Sequence, residues 1–410
     1  MLIALAVVID LAYIVENNYI PEVDCVSGLS LLTVDLQALV DNWRLLDEKV
    51  GGDCCCASVV KANAYGLGVV PVVKALFAGG CRSFFVATLI EGIELRKAIA
   101  SKDCAIFVFG GLSYDISDDV SCSSDWQNYS LIPVLFSQEH VVRWLDFSRS
   151  KQQSLPSVLK IDIGMHRTGI SIKELDQLLG NGDLEALQPR YVMGHFACAD
   201  EPDHPMNSQQ SVLFQDCIQK IKALLPNTLF SLCNSSGIFL KNAPHHQLVR
   251  PGIALYGGAQ RGLDASRLQS VVSLNLAVMQ KKTVKQGEGV GYGLSYRTTR
   301  ETRLAIVSGG YADGLLRTLS NIGFGYYCGV KVPIVGKVSM DTVIFDITDV
   351  DDDDSITIDG EVIDSGVVEV LGKYQTIDDL AAAAGTIGYE ILTSLGHRFQ
   401  RTYIPLSLGD

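Results

Sequence analysis

From residue 57 to about residue 250 the chain alternates short β-branched or aromatic runs with longer stretches whose apolar positions recur every three or four residues. The short runs at 58–61, 83–87, 105–109, 131–136, 158–163, 191–195, 229–232 and 247–250 predict strands. Segments such as 69–77 and 138–147 predict helices that lay one apolar face on a sheet. Eight such strands, with helices between them, predict an α/β fold built on a (β/α)8 barrel of the TIM type. An open doubly wound sheet is the other arrangement that this alternation allows. Ahead of the first strand, Asp35 stands where it can cap a helix whose Leu36, Leu39, Val40, Trp43 and Leu46 share one face. Beyond residue 270 the rhythm changes: 271–279, 303–307, 330–335, 342–347 and 367–371 predict strands with no helices between them. That is the pattern of a mostly antiparallel β domain, closed by helices over 376–385 and 387–395. The chain thus divides into an N-terminal extension 1–28, a barrel 29–270 and a C-terminal β domain 271–410.

Composition narrows the function. The 410 residues carry 46 acidic and 33 basic side chains, a formal charge of −13, which repels phosphate backbones and anionic lipid. No nucleic-acid or membrane partner is expected. With 48% hydrophobic residues the chain can bury large cores, which excludes a disordered protein. Its eleven cysteines are odd in number and contain no C-x-x-C pair, so they read as reduced thiols and point to the cytoplasm. The run Cys54-Cys55-Cys56 lacks the further Cys or His spacing of a zinc site, and no metal is expected. The acidic run 351–354 lacks the Gly and Glu of a calcium loop and reads as solvated. The apolar stretch 1–15 is interrupted by Asp10 and has no Lys or Arg ahead of it, a weak match to a signal peptide.

Barrel active sites are built at the carboxyl ends of the strands, and the polar residues there are unusual. Lys61 ends the first strand in an apolar setting. It is either a snorkelling surface residue or a desolvated amine suited to covalent chemistry with a carbonyl. The fifth strand runs from Lys160 into the loop 164–169 (GMHRTG), where Arg167 is placed to grip a carboxylate. His195 ends the sixth strand, Asn234-Ser235-Ser236-Gly237 follows the seventh, and Arg250 ends the eighth. A strand-end His is commonly structural, and Ser/Gly turns are commonly plain loops. Exposed amides beside a hydroxyl are nevertheless what a phosphate monoester requires. Phosphate-binding loop, H-E-x-x-H and nucleophile-elbow motifs are absent from the sequence. The glycines at 287, 289, 291 and 293 lie in the β domain, away from any βαβ unit, and predict a bend that exposes Tyr292.

Six segments together carry a family resemblance: 59–68 (VVKANAYGLG), 164–169 (GMHRTG), 250–257 (RPGIALYG), 290–293 (VGYG), 310–314 (GYADG) and 338–341 (VSMD). With them, from about Leu31 to its end, the chain resembles the alanine racemases, pyridoxal-phosphate enzymes with a barrel and a C-terminal β domain. The resemblance implies that Lys61 carries pyridoxal 5'-phosphate as an internal aldimine and is the base facing the α-hydrogen of D-alanine. It makes Tyr292 the base on the opposite face, acting on L-alanine; inverting a stereocentre needs one group on each side. Tyr65, Ser235, Gly252, Ile253 and Tyr389 would hold the phosphate, with Asn234 beside them. Arg250 would face the pyridine nitrogen, and His195 would pack against the ring. Arg167 would meet Tyr292 or the substrate carboxylate, while Tyr311, Met340 and Asp341 would reach in from the partner of a homodimer. Lys160, seven residues before Arg167, stands where many relatives carry a carbamylated lysine. The implied activity is interconversion of L- and D-alanine, supplying D-alanine for peptidoglycan in the cell wall. A racemase for serine or a broad set of amino acids is the alternative on the same fold, and a cofactor-carrying binding protein the alternative from another class. The sequence departs from the family at residues 1–28, at Lys337 where many members have Arg, and at Ser231 where some have His.

Overall fold

The computed structural model describes residues 30–112, 120–258, 267–351, 355–358, 361–364 and 366–407. The extension 1–28, with Cys25, and residues 352–354 of the acidic run lie outside the described residues. The barrel forms as the alternation predicts. Parallel strands Ser83–Val86, Ala105–Val108, Leu131–Leu135, Val158–Lys160, Tyr191–Met193, Leu229–Asn234 and Leu248–Arg250 follow one another around the ring. The last of them pairs with Cys55–Cys56, and the first pairs with Ser58–Val59. These two short segments are separated only by Ala57, whose N–H donates to Val249 O at 3.0 Å. The ring is thereby closed, with an eighth strand made of two pieces. Its strands are buried on both faces, as Ser83–Val86 and Leu131–Leu135 are throughout, which is why they read as unbroken apolar runs.

The helix Leu36–Val50 starts at Asp35, whose carboxylate accepts the Ala38 N–H at 2.8 Å. Leu39, Val40 and Leu46 are fully buried, each contributing roughly 2 kcal/mol of apolar transfer. Asn42, on the same helix, is buried and fully used. Its amide donates to Leu255 O and Gln269 O, and its carbonyl accepts from Gln269 N, tying the helix to the end of the barrel segment.

The second sheet runs in the order Val330–Pro333, Phe324–Tyr327, Val367–Leu371, Val272–Val284, Leu31–Asp35, Gln400–Ile404; Thr302–Ser308 also pairs with Val272–Val284, and Thr342–Asp346 with Thr302–Ser308. Pattern reading passed over the first of these strands in the chain. Leu31–Asp35 belongs to this sheet rather than to the barrel, antiparallel to Val272–Val284 and parallel to Gln400–Ile404. Two helices, Ile377–Ala384 and Gly388–Ser394, lie where the alanine run predicted them. Among the described residues no helix is long and apolar enough to cross a membrane, and no group of His, Cys, Asp or Glu is placed to hold a metal.

Candidate active site

A cavity of about 700 Å³ opens at the carboxyl end of the barrel strands, the size of a small-molecule site. Lys61, at its mouth, has Nζ 6.0 Å from the centre of the Phe109 ring. Partial desolvation, and then the nearby Arg167 cation, lower its pKa below the ordinary lysine range. The backbone after it is unusual: Ala62, Asn63, Ala64 and Tyr65 have φ of 54°, 55°, 52° and 57°. Four consecutive left-handed non-glycine residues cost about 1–2 kcal/mol each, so their surroundings must hold them. Ala62 N donates to Glu91 Oε1 at 2.8 Å and Val69 N to Asn63 Oδ1 at 2.7 Å. From the β domain, Arg401 donates to Gly66 O at 3.2 Å and the Tyr403 hydroxyl to Leu67 O at 2.9 Å.

Across the cavity Arg250 is buried at 3% exposure. It donates to the Ser231 hydroxyl, to Gly194 O at 2.7 Å and to Leu232 O at 3.3 Å. It also meets His195 Nδ1 at 3.4 Å, which makes that ring nitrogen an acceptor. Burial, and then the surrounding cations beginning with Arg250, hold the His195 pKa well below its usual value, so the imidazole is neutral. The Arg250 Nε is buried with no hydrogen-bond partner among the described residues. Lys160, 8% exposed, donates to Thr168 Oγ1 at 2.5 Å. Its pKa is lowered to about 8 by burial, then by Arg167 and Arg250. Arg167 is exposed on the cavity side and makes no hydrogen bond or ion pair among the described residues. Its loop is shaped by Asp162, which accepts from the N–H groups of Gly164, Met165 and His166.

At the opposite wall Ser235 Oγ accepts from Gly252 N at 2.8 Å and Ala254 N at 3.3 Å. Asn234 shapes the same turn by accepting from Gly237 N at 2.9 Å. Gly252 has no room for a side chain: a Cβ there would stand 2.2 Å from the Tyr65 hydroxyl. The Tyr65 and Tyr389 rings lie 5.9 Å apart, and burial raises both phenols. Ile253 is buried and does not line the cavity. Tyr292, Tyr311, Met340 and Asp341 do not line it either. Tyr292 is 71% exposed on a bend where Gly291 and Gly293 have φ of 69° and 68°. Tyr311 and Met340 are also exposed, and Asp341 is joined to Arg398 at 2.7 Å.

Residues 34–260 match the model of the alanine racemase N-terminal domain, and residues 271–403 that of the alanine racemase C-terminal domain. The chain belongs to the alanine racemase family. Members of this family are pyridoxal-phosphate-dependent racemases. A catabolic alanine racemase of Agrobacterium fabrum is 42% identical over 374 residues, covering 91% of this chain and 92% of its own. An alanine racemase of Rhodospirillum rubrum is 41% identical over 375 residues, 91% of this chain and 96% of its own. The crystal structure of the alanine racemase from Bartonella henselae, with covalently bound pyridoxal phosphate, superposes with a TM-score of 0.82 at 36% identity, covering 92% of this chain and 100% of that one.

The residues of this alanine racemase family member fit that cofactor. The Arg250 Nε, without a partner among the described residues, offers a donor to a ring nitrogen, the Ser235 and Tyr65 hydroxyls line the cavity beside Gly252, where they can donate to a phosphate, and Lys61 presents an amine of lowered pKa. Sequence reasoning missed Phe109, Phe136 and Asp200 on the cavity wall, and Glu91 behind Lys61. The two Phe residues ended predicted strands, the position that had singled out Lys61 and His195. The signal for Glu91 was its capping box with Thr88, three residues earlier. Of the two single-residue departures, Ser231 touches Arg250 directly. Lys337 stands beside the Tyr292 bend: a Cβ on Gly293 would lie 3.4 Å from its Nζ.

Proposed function

We propose that this protein interconverts L-alanine and D-alanine by two-base proton transfer at a site holding pyridoxal phosphate. The observation that carries the reading is the pairing, in one cavity, of the Lys61 amine with the buried, unpartnered Arg250 Nε. When bound, the cofactor supplies the electron-withdrawing ring that acidifies the substrate α-hydrogen. Lys61 holds the cofactor through Nζ and moves the proton on the D-alanine face; Tyr292 moves the proton on the L-alanine face through its phenolic oxygen. Arg167, which lines the cavity and has no hydrogen-bond or ion-pair partner among the described residues, holds the substrate carboxylate or the Tyr292 phenol. Tyr65, Ser235, Gly252, Ile253 and Tyr389 hold the phosphate, with Asn234 fixing the turn. His195, neutral and anchored by Arg250, packs on the ring. Arg250 is a permanent cation and cannot give the ring nitrogen a proton-accepting partner, which limits side reactions.

The exposure of Tyr292, Tyr311 and Met340 on the β domain supports a homodimer in which one chain's 271–410 domain completes the barrel site of its partner. The nine cysteines with described side chains are free thiols, which supports a cytoplasmic location. We assign the product D-alanine to peptidoglycan synthesis, while the name of the Agrobacterium relative marks that enzyme as catabolic. Racemisation itself runs both ways, so growth of a deletion strain with and without D-alanine separates the two uses. The chemical test is an absorbance spectrum, borohydride reduction with peptide mapping, and a chiral assay with L-alanine and L-serine. Cofactor fixed on Lys61 and faster turnover of alanine are expected; a label on another lysine, or faster turnover of serine, would refute the reading.

A further inference from the structure

The carboxylate of Glu91 collects three backbone N–H groups from two different barrel strands' ends. Oε1 accepts from Ala62 N at 2.8 Å, and Oε2 from Ala87 N at 2.7 Å and Thr88 N at 3.3 Å. Only the last belongs to a capping box, in which Thr88 Oγ1 accepts from Glu91 N at 3.2 Å. A helix cap needs neither of the other two. The bond to Ala62 crosses 29 residues and ends on the residue next to Lys61, the first of the four left-handed positions. Asn63, whose Oδ1 accepts from Val69 N, suits the left-handed region, but Ala62 and Ala64 have no side-chain group that bonds locally and need their surroundings to hold φ near 54° and 52°.

We infer that Glu91 is the positioning residue for Lys61: its carboxylate fixes the strained turn that aims the lysine amine into the cavity. The inference rests on Lys61 being the cofactor lysine. The same charge acts on the amine through space, because Glu91 raises the Lys61 pKa against the lowering by burial and Arg167. The geometry requires the full carboxylate. In Glu91→Gln one oxygen remains for three N–H groups, and the new amide turns a donor toward donors.

Three measurements on the holoenzyme test this. First, Glu91→Gln should load cofactor on Lys61 yet lose about tenfold or more in kcat in both directions with KM within about twofold. Second, the pH midpoint of its cofactor absorbance should fall by about half a unit, the direction expected when an anion beside an amine is removed. Thr88→Ala breaks the capping box and keeps the carboxylate, so it should melt earlier while leaving both the midpoint and kcat in place. Third, hydrogen exchange on the unaltered protein reads the clamp without any variant: Ala62 is exposed, and its amide should still exchange slowly. Unchanged midpoint and kcat in Glu91→Gln, equal losses in Thr88→Ala, or an Ala62 amide exchanging at the free-chain rate would each overturn the inference. Wild-type protein that takes no cofactor on Lys61 would instead remove the function on which it rests.

Discussion

Arg250 shows how one side chain can be fixed by its neighbours and still leave a bond free. Three of its contacts are to buried oxygens, two of them backbone carbonyls that would lose this donor. Arg250→Gln should therefore cost on the order of 2 kcal/mol of stability, read from urea unfolding of the cofactor-free protein. It should also slow racemisation, because the free Nε is lost with the guanidinium. Lys160 makes a different residue-scale prediction. An amine with pKa about 8 is far more often neutral near physiological pH than an ordinary lysine, and only the neutral amine adds carbon dioxide, forming an N–C bond and releasing one proton. Carbamate occupancy should rise as pH rises through about 8 and fall below it. With labelled bicarbonate, a carbon-13 carbamate resonance should follow that course and be missing from Lys160→Met; no resonance in the parent protein at any pH would retire the modification.

The turn from Lys61 to Gly68 is an element that earlier and later parts of the chain build jointly. Gly68 has φ of +100°, and a Cβ on it would stand 2.3 Å from the Tyr403 hydroxyl, so neither its conformation nor its space admits a side chain. Gly68→Ala should cost about 1–3 kcal/mol and impair cofactor loading, measured by the absorbance of the reconstituted protein, while the barrel strands keep their circular dichroism. Much of this fold was legible because a parallel strand buried on both faces leaves an unbroken apolar run, as 83–86 and 131–135 do. The strands Leu31–Asp35 and Gln400–Ile404 were not, since each is short and half-buried and mixes polar with apolar residues. Their pairing joins positions that no local window spans. The site followed the same division. Lys61, Arg167, His195 and Arg250 stand out as polar residues where apolar strands end, whereas the distance from Glu91 to Ala62 is a tertiary fact with no spacing to announce it.

At the scale of the whole molecule, the proposed second base, Tyr292, is exposed on the β domain and does not line its own chain's cavity. A Lys61→Ala chain and a Tyr292→Phe chain, each inactive, should regain part of the activity when mixed and allowed to exchange subunits. One of the two sites in each heterodimer would then combine an intact lysine with an intact tyrosine. Exchange confirmed by mass with no recovered activity would place both groups in a single subunit's site. The sheet beneath that domain also sets an order of events. Leu31–Asp35 lies between Val272–Val284 and Gln400–Ile404, and from residue 31 to residue 400 is 400 − 31 = 369 residues. At 5–20 residues per second, a ribosome takes roughly 20 to 70 s to cover that stretch. Throughout it the earlier strand has one or both edges unpaired, the condition under which strands of neighbouring nascent chains find each other. The barrel is finished long before the strand that clamps its lysine turn has been made, so the Lys61 turn takes its final form only after residue 403 has left the ribosome and docked.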